Sequence, residues 1–250
     1  MFVHAHPDDE AIFTGGTMAR LAAEGWRVVL VVCTGGELGL TTEAAADADL
    51  AEHRRAETQA AAAVLGIARV VTLDYRDSGM EGDPANDAAG SFWSADVEVA
   101  AKAVAAVLDE ERAAAAVGYD ARGIYGHPDH VQAHRVTHRA AALAGVATVY
   151  DATVDREYLH FVETHLVEEA ALTGDLGLVR SRIGVATVDI TTTIDVRSWL
   201  PTKRAAMAAH ASQIPESTSA LQLPEGHFAD VYGWEWYLRT GPPAMLDDLG

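Results

Sequence analysis

Short apolar runs rich in β-branched residues alternate with longer, Ala-rich amphipathic stretches, and this alternation leaves few folds open to the chain. The runs are Phe2 to Ala5, Arg27 to Cys33, Val70 to Leu73, Ala114 to Val117 and Ala147 to Tyr150. Arg27 to Cys33, reading RVVLVVC, has the near-continuous apolar character of a strand covered on both faces. Helical patterns lie between the runs, at about Glu10 to Glu24, Leu50 to Leu65, Ala95 to Glu111 and Val131 to Leu143. Gly25 and Gly66 close the first two as C-terminal stops. Strands alternating with helices predict right-handed βαβ units, hence an α/β, Rossmann-like single domain. Its sheet is mainly parallel, with helices on both faces. Phe2 to Ala5 is short for a strand that this topology makes central, so it must be paired on both sides.

The segment from Asp77 to Ser94, rich in Gly, Asp, Asn, Ser and Pro, reads as a long surface loop. Beyond it the pattern loosens. Val185 to Ile190 reads as a strand, Val196 to His210 as a helix, and Trp234 and Trp236 alternate as in a strand. The 250 residues are taken as one domain, with a core at about 1–150 and a less regular, substrate-side elaboration over 151–250.

Two motifs carry chemistry. His6-Pro7-Asp8-Asp9-Glu10 falls where the first strand ends and the first helix begins. Pro7 restricts the backbone there, and acids at a helix start complement its dipole. An acidic N-cap accounts for any one of the acids but not for the adjacent histidine and all of them together. His127-Pro128-Asp129-His130 follows the fourth run, again at a strand's carboxyl end. In open α/β sheets that is where sites form, so two loops remote in sequence can converge. Histidine with carboxylate suits zinc, and two His with one Asp suit Fe(II) as well. No G-x-G-x-x-G follows the first strand, which argues against a dinucleotide enzyme.

Ala5 to Glu10 (AHPDDE), Thr34 to Glu37 (TGGE) and Gly126 to His130 (GHPDH) together resemble the PIG-L, or LmbE-like, family of zinc-dependent N-deacetylases, which act mostly on substrates containing N-acetylglucosamine. Arg54 and Glu57 with Leu65-Gly66, Arg76-Asp77-Ser78-Gly79, Tyr125, Lys203, and His210-Ala211-Ser212-Gln213 add supporting matches. The resemblance implies His6, Asp9 and His130 as zinc ligands and Asp8 as general base. It makes His127 the group that stabilises the oxyanion or protonates the leaving amine, with Asp129 orienting it. Tyr125 is implied at the substrate carbonyl, and Glu37 and Arg54 at the substrate or its support. Asp77 is a candidate for sugar hydroxyls, against a turn-forming role. An Arg54 paired with Glu57 on an exposed helix face is the ordinary alternative.

This reading makes chemical sense. Zinc lowers the pKa of bound water to about 7 and polarises a carbonyl, while a carboxylate that is not a ligand takes the water's proton. Neighbouring Asp side chains on a loop point different ways, which lets Asp9 face the metal and Asp8 the water. The implied activity is removal of an acetyl group from an N-acetylated amino sugar or its conjugate. Amidase action on a thiol conjugate of such a sugar, or a non-catalytic metal-binding module, are the rivals; the spare carboxylate of Asp8 argues against the second.

Composition narrows the partners. Against 18 Lys and Arg stand 37 Asp and Glu, a formal charge of −19, which repels phosphate backbones and anionic lipid. A small amino-sugar substrate is expected rather than nucleic acid or membrane, and a homo-oligomer is neither required nor excluded. The single cysteine, Cys33, permits no intrachain disulfide, and no secretory signal or spanning segment is visible, so a cytoplasmic location is expected. His134, four residues past His130 on the same helical face, is read as a supporting or surface residue, and Glu10 as an orienter of a ligand.

Overall fold

The computed structural model of the chain describes residues 1–39, 50–165 and 183–250. Part of the segment after residue 150 expected to shape specificity, 166–182, lies outside the described residues. A seven-stranded sheet has the order β3-β2-β1-β4-β5-β7-β6. Its strands are β1 (Phe2–His4), β2 (Val29–Thr34), β3 (Arg69–Tyr75), β4 (Ala116–Tyr119), β5 (Val149–Thr153), β6 (Thr192–Asp195) and β7 (Trp234–Thr240). The first five are parallel; β7 runs antiparallel to both β5 and β6.

β1 is paired on both sides as the topology demands: Phe2, Val3 and His4 face Leu30, Val31 and Val32 of β2, and Phe2 also faces Val117 of β4. The strand order reverses here, since chain leaving β1 crosses to one side and β4 lies on the other. A crevice at such a switch point is where open α/β sheets bind ligands, and both histidine motifs emerge into it.

Alternating side chains send one strand residue to each face. Phe2, Leu30, Val32, Val117 and Tyr150 join one core, packed by α2 (Gly15–Ala23), α3 (Leu50–Leu65) and α8 (Leu200–Ala209). Val3, Val29, Val31, Cys33, Ala116 and Val149 join the other, packed by α4 (Val97–Glu111) and α6 (Pro128–Ala144). The remaining helices among the described residues are α1 (Asp9–Phe13), α5 (Gly123–Gly126), α7 (Arg156–His165), α9 (Ser219–Gln222) and α10 (Glu225–Tyr232). No helix among the described residues is long and apolar enough to cross a membrane.

Helix α3 spans the expected Leu50–Leu65, and Gly66 stops it with φ of 74°. The expected helix from Glu10 to Glu24 is instead two helices parted at Thr14, whose φ is −137°. Thr14 is drawn out of helical geometry by its Oγ1, 2.8 Å from His4 Nε2. The freed start of α2 is then capped from afar, because Gly16 and Thr17 N–H donate to the Glu235 carboxylate, each at 2.8 Å. The expected strand at Val185 to Ile190 is not one: Thr187–Asp189 forms a 3-10 turn and Val188 is 89% exposed. The strand that pairs with β7 is β6, a little later, where Ile194 is fully buried. The helix expected over Val196 to His210 opens as a 3-10 turn and becomes α8 only at Leu200.

Candidate metal centre and catalytic site

Pro7 turns the chain sharply out of β1, and Asp8 carries the bend with φ of 106° and ψ of −31°. A positive φ costs a non-glycine residue about 1–3 kcal/mol, and such strain is retained chiefly at functional sites. The bend separates the adjacent aspartates. Asp9 turns inward, and its Oδ2 lies 3.2 Å from His6 Nδ1 and 3.3 Å from His130 Nε2. The two imidazole nitrogens are themselves 3.3 Å apart.

These three atoms form a near-equilateral triangle. Ligand bonds of about 2.0–2.2 Å at tetrahedral angles put donor atoms about 3.3 Å apart, so the donor set fits a zinc-sized cation without rearrangement. The outer nitrogens are tied down, as metal-ligating histidines require. His6 Nε2–H donates to Asp129 Oδ2 at 3.2 Å, and His130 Nδ1–H to the Gly123 carbonyl at 3.2 Å. Gly123 must be glycine for this: its φ is 64°, and a Cβ there would stand 2.6 Å from the Cβ of His130. Asp129, Asp77 and Asp9 hold the His6 imidazole well above its ordinary range against the opposing effect of burial. One ring nitrogen each of His6, His127 and His130 also lie within 4.8 Å of one another. The set containing Asp9 is the tighter, and it leaves His127 Nδ1 to cap its own helix.

Asp8 points elsewhere. Its Oδ2 pairs with Arg54 Nη2 at 3.1 Å, and its backbone N–H donates to Glu10 Oε2 at 3.0 Å. Burial pushes its carboxyl up to about 6, against the pull of Arg54. Arg54 is only 3% exposed and also donates to the carbonyls of Pro7 and Gly36. The exposed pairing with Glu57 is therefore not formed; Glu57 instead accepts from Ser212 N–H and Oγ–H at 2.7 and 2.6 Å. Glu10, expected to orient a ligand, reaches none of the three donors. It accepts the Asp8 N–H and pairs with the buried His210, whose Nε2 is 2.6 Å from its Oε1.

His127 is the N-cap of α6, with Pro128 at the first helical position. Its Nδ1 accepts the Asp129 backbone N–H at 3.2 Å. The expected orientation of His127 by the Asp129 carboxylate is not found. That carboxylate accepts from Ser78 N–H at 2.9 Å and Oγ–H at 2.5 Å as well as from His6, because helix geometry carries it away from the cap residue. Burial pushes the His127 imidazole down to about 2, assisted by His6 and His130 beside it. The ring packs edge-on against His6, centroids 4.5 Å apart. Tyr125 meets the ring of His130 at 4.9 Å and is half-buried.

Asp77 comes within 3.7 Å of His6 Nε2, and its Oδ1 accepts Gly79 N–H at 2.8 Å. Glu37 Oε1 accepts the Asp77 N–H at 3.1 Å, so the two acids expected to meet substrate are linked to each other. Sequence reasoning missed Tyr119. Fully buried at the end of β4, it donates its hydroxyl to Asp9 Oδ2 at 2.7 Å and accepts the Ala5 N–H at 2.8 Å. Its only signal was an aromatic residue just past an apolar run. Ser78 was visible only as part of the Arg76 to Gly79 match.

Residues 1–141 match the PIG-L family, described as GlcNAc-PI de-N-acetylase. The 1D-myo-inositol 2-acetamido-2-deoxy-alpha-D-glucopyranoside deacetylase of Thermomonospora curvata is 39% identical, over 99% of this chain and 93% of its own length. The deacetylase of the same name from Acidothermus cellulolyticus is 41% identical, over 95% of this chain and 87% of its own. Among solved structures, N,N'-diacetylchitobiose deacetylase from Pyrococcus horikoshii superposes with a TM-score of 0.59 at 22% identity, covering 96% of this chain and 82% of that one. The 4-carboxy-2-hydroxymuconate hydratase GalB from Pseudomonas putida superposes with a TM-score of 0.63 at 20% identity, covering 98% and 96%. A hydratase and a deacetylase share this fold, so superposition alone does not choose the reaction.

Proposed function

The chain belongs to the PIG-L family of metal-dependent amino-sugar deacetylases, and on that footing we propose that it uses zinc to remove the acetyl group from an inositol-linked N-acetylglucosamine. The observation that carries the reading is the triangle of His6 Nδ1, Asp9 Oδ2 and His130 Nε2 with a second carboxylate, Asp8, turned away from it. The deacetylases of Thermomonospora and Acidothermus supply the substrate class.

When bound, the cation supplies Lewis acidity to water and to the amide carbonyl. The chain's own residues divide the remaining work. Asp8, outside the donor triangle and braced by Arg54, takes a proton from the attacking water. His127, whose Nδ1 is already an acceptor, presents Nε2–H to the developing oxyanion. A neutral His127 has no spare proton for the leaving amine, so Asp8 returns the one it took. Asp129, Ser78 and Tyr119 hold His6 and Asp9 in place. Tyr125 walls the substrate side of His130, and Glu37 positions Asp77 beside His6.

Acetate release from a panel of N-acetylated sugars tests this: inositol-linked N-acetylglucosamine, diacetylchitobiose, free N-acetylglucosamine and an acylated thiol conjugate. The inositol-linked sugar should give the highest kcat/KM. Preference for the thiol conjugate, or no acetate from any of them with zinc present, would overturn the proposal.

A further inference from the structure

His130, His134 and His138 follow one another at intervals of four along α6, a spacing that stacks them on one stripe of the helix about 6 Å apart along its axis. Only the first reaches the catalytic triangle. The other two turn to Asp151 on β5, a carboxylate that the deacetylation chemistry does not use. His138 Nε2 lies 2.8 and 3.1 Å from the two carboxylate oxygens of Asp151, and His134 Nδ1 lies 3.5 Å from one of them. The ligand atoms of all three residues fall within 4.8 Å of one another, and the two imidazole centroids are 4.4 Å apart.

We propose that His134, His138 and Asp151 form a second divalent-cation site, distinct from the catalytic one. A histidine pair one helical turn apart, closed by a carboxylate from a different element, is a facial three-donor set that leaves room for water. Imidazole and carboxylate together select zinc, nickel or copper(II) over magnesium or calcium. The donors are held on rigid elements: Asp151 sits in the ladder opposite Gly118 and Leu238, and the histidines lie on a helix packed across β4 and β5. The acid forms the floor, with its side chain 8% exposed, while His134 and His138 at 20% and 29% open toward solvent and give an ion a path in. His134 Nδ1 also lies 2.8 Å from the Tyr119 carbonyl, so it carries a proton in the metal-free site. Binding at Nδ1 requires that proton to leave this nitrogen.

The alternative is an ion pair that merely ties α6 to β5. Zinc alone, titrated calorimetrically into chelator-stripped full-length protein, separates the two. The site predicts two zinc equivalents. His138→Gln and Asp151→Asn should each lose that second equivalent and keep the first; Asp9→Ala should lose the first and keep the second. His138 is partly exposed, so its substitution leaves the core intact, and circular dichroism of both variants checks this. One zinc equivalent in the unaltered protein, or a second that survives both substitutions, overturns the proposal. A first equivalent that survives Asp9→Ala, with the second still lost in His138→Gln and Asp151→Asn, would count against the catalytic assignment and leave this one standing.

Discussion

The two ends of the parallel sheet treat charge in opposite ways. At the carboxyl ends of β1 and β4, His6, Asp9, Asp129 and His130 are all buried, and each finds a partner within 3.3 Å. At the amino ends of β2 and β3, Glu111 bridges Arg27 at 2.7 Å and Arg69 at 2.9 Å, but both arginines reach into solvent. The distances are similar and the consequences are not. Buried charges lose hydration, so removing one partner leaves the other uncompensated. Exposed pairs are screened by water and salt and contribute little. Geometry of the same quality therefore marks a buried network at one end and a solvent-facing one at the other.

The largest effect should follow from removing a donor of the triangle. His130→Ala is expected to lose tight zinc binding and to bring acetate release to background, read by metal analysis and by the acetate assay. Asp8→Asn comes next: kcat should fall by about 10²–10⁴-fold, the usual worth of a general base, while the zinc content of the catalytic site stays unchanged. Loss of zinc from that variant would make Asp8 a ligand instead. His127→Ala should lower kcat by about 10²–10³-fold, as removal of an oxyanion donor does, with little change in zinc affinity.

How these residues were, or were not, legible in the sequence follows from the kind of contact each one makes. The convergence of the motifs holding His6, Asp9 and His130 could be read because each lies at a strand's carboxyl end, and the alternation of runs and helices brings those ends together; the choice of these three among the motif residues rests on the resemblance to the PIG-L family. The target of the Asp129 carboxylate could not. It is set by the helical turn that begins at His127, and its partners His6 and Ser78 come from two other loops. Tyr119 was hidden for a related reason: at the end of a buried strand its ring is indistinguishable from core, and only the fold brings its hydroxyl to Asp9. The break at Thr14 depends on the Thr14 contact with His4 in the first strand, and the helix that follows it on a capping carboxylate, Glu235, in the last. The strand misplaced at Val185 to Ile190 has the right composition, but β7 pairs with Thr192–Asp195.

Smaller effects extend the contrast. Asp129→Asn should weaken zinc binding by about 10–100-fold, the range for an outer partner of a metal-bound histidine, measured by competition with a chelator. At the amino end, Glu111→Gln should leave acetate release and zinc content unchanged and lower the melting temperature by a small, constant amount near neutral pH. Its pH signature has a definite sign. Hydrogen bonds from Arg27 and Arg69 hold the Glu111 carboxyl down to about 2, below the ordinary glutamate value of about 4.3. Its stabilising contribution is therefore complete above the ordinary value and is lost as pH falls from there through the folded-state value. Melting curves of the two proteins should converge across that acid window and run parallel above it. A large difference at neutral pH would show that the amino end behaves like the buried network.

The division of labour within His6 to Glu10 can be observed directly by anomalous scattering at the zinc edge from crystals of the zinc-loaded protein. The account predicts a peak at about 2.0–2.2 Å from His6 Nδ1, Asp9 Oδ2 and His130 Nε2, with the Asp8 carboxylate outside the coordination shell and still paired with Arg54. A peak ligated by Asp8, or by His127 in place of Asp9, would contradict it.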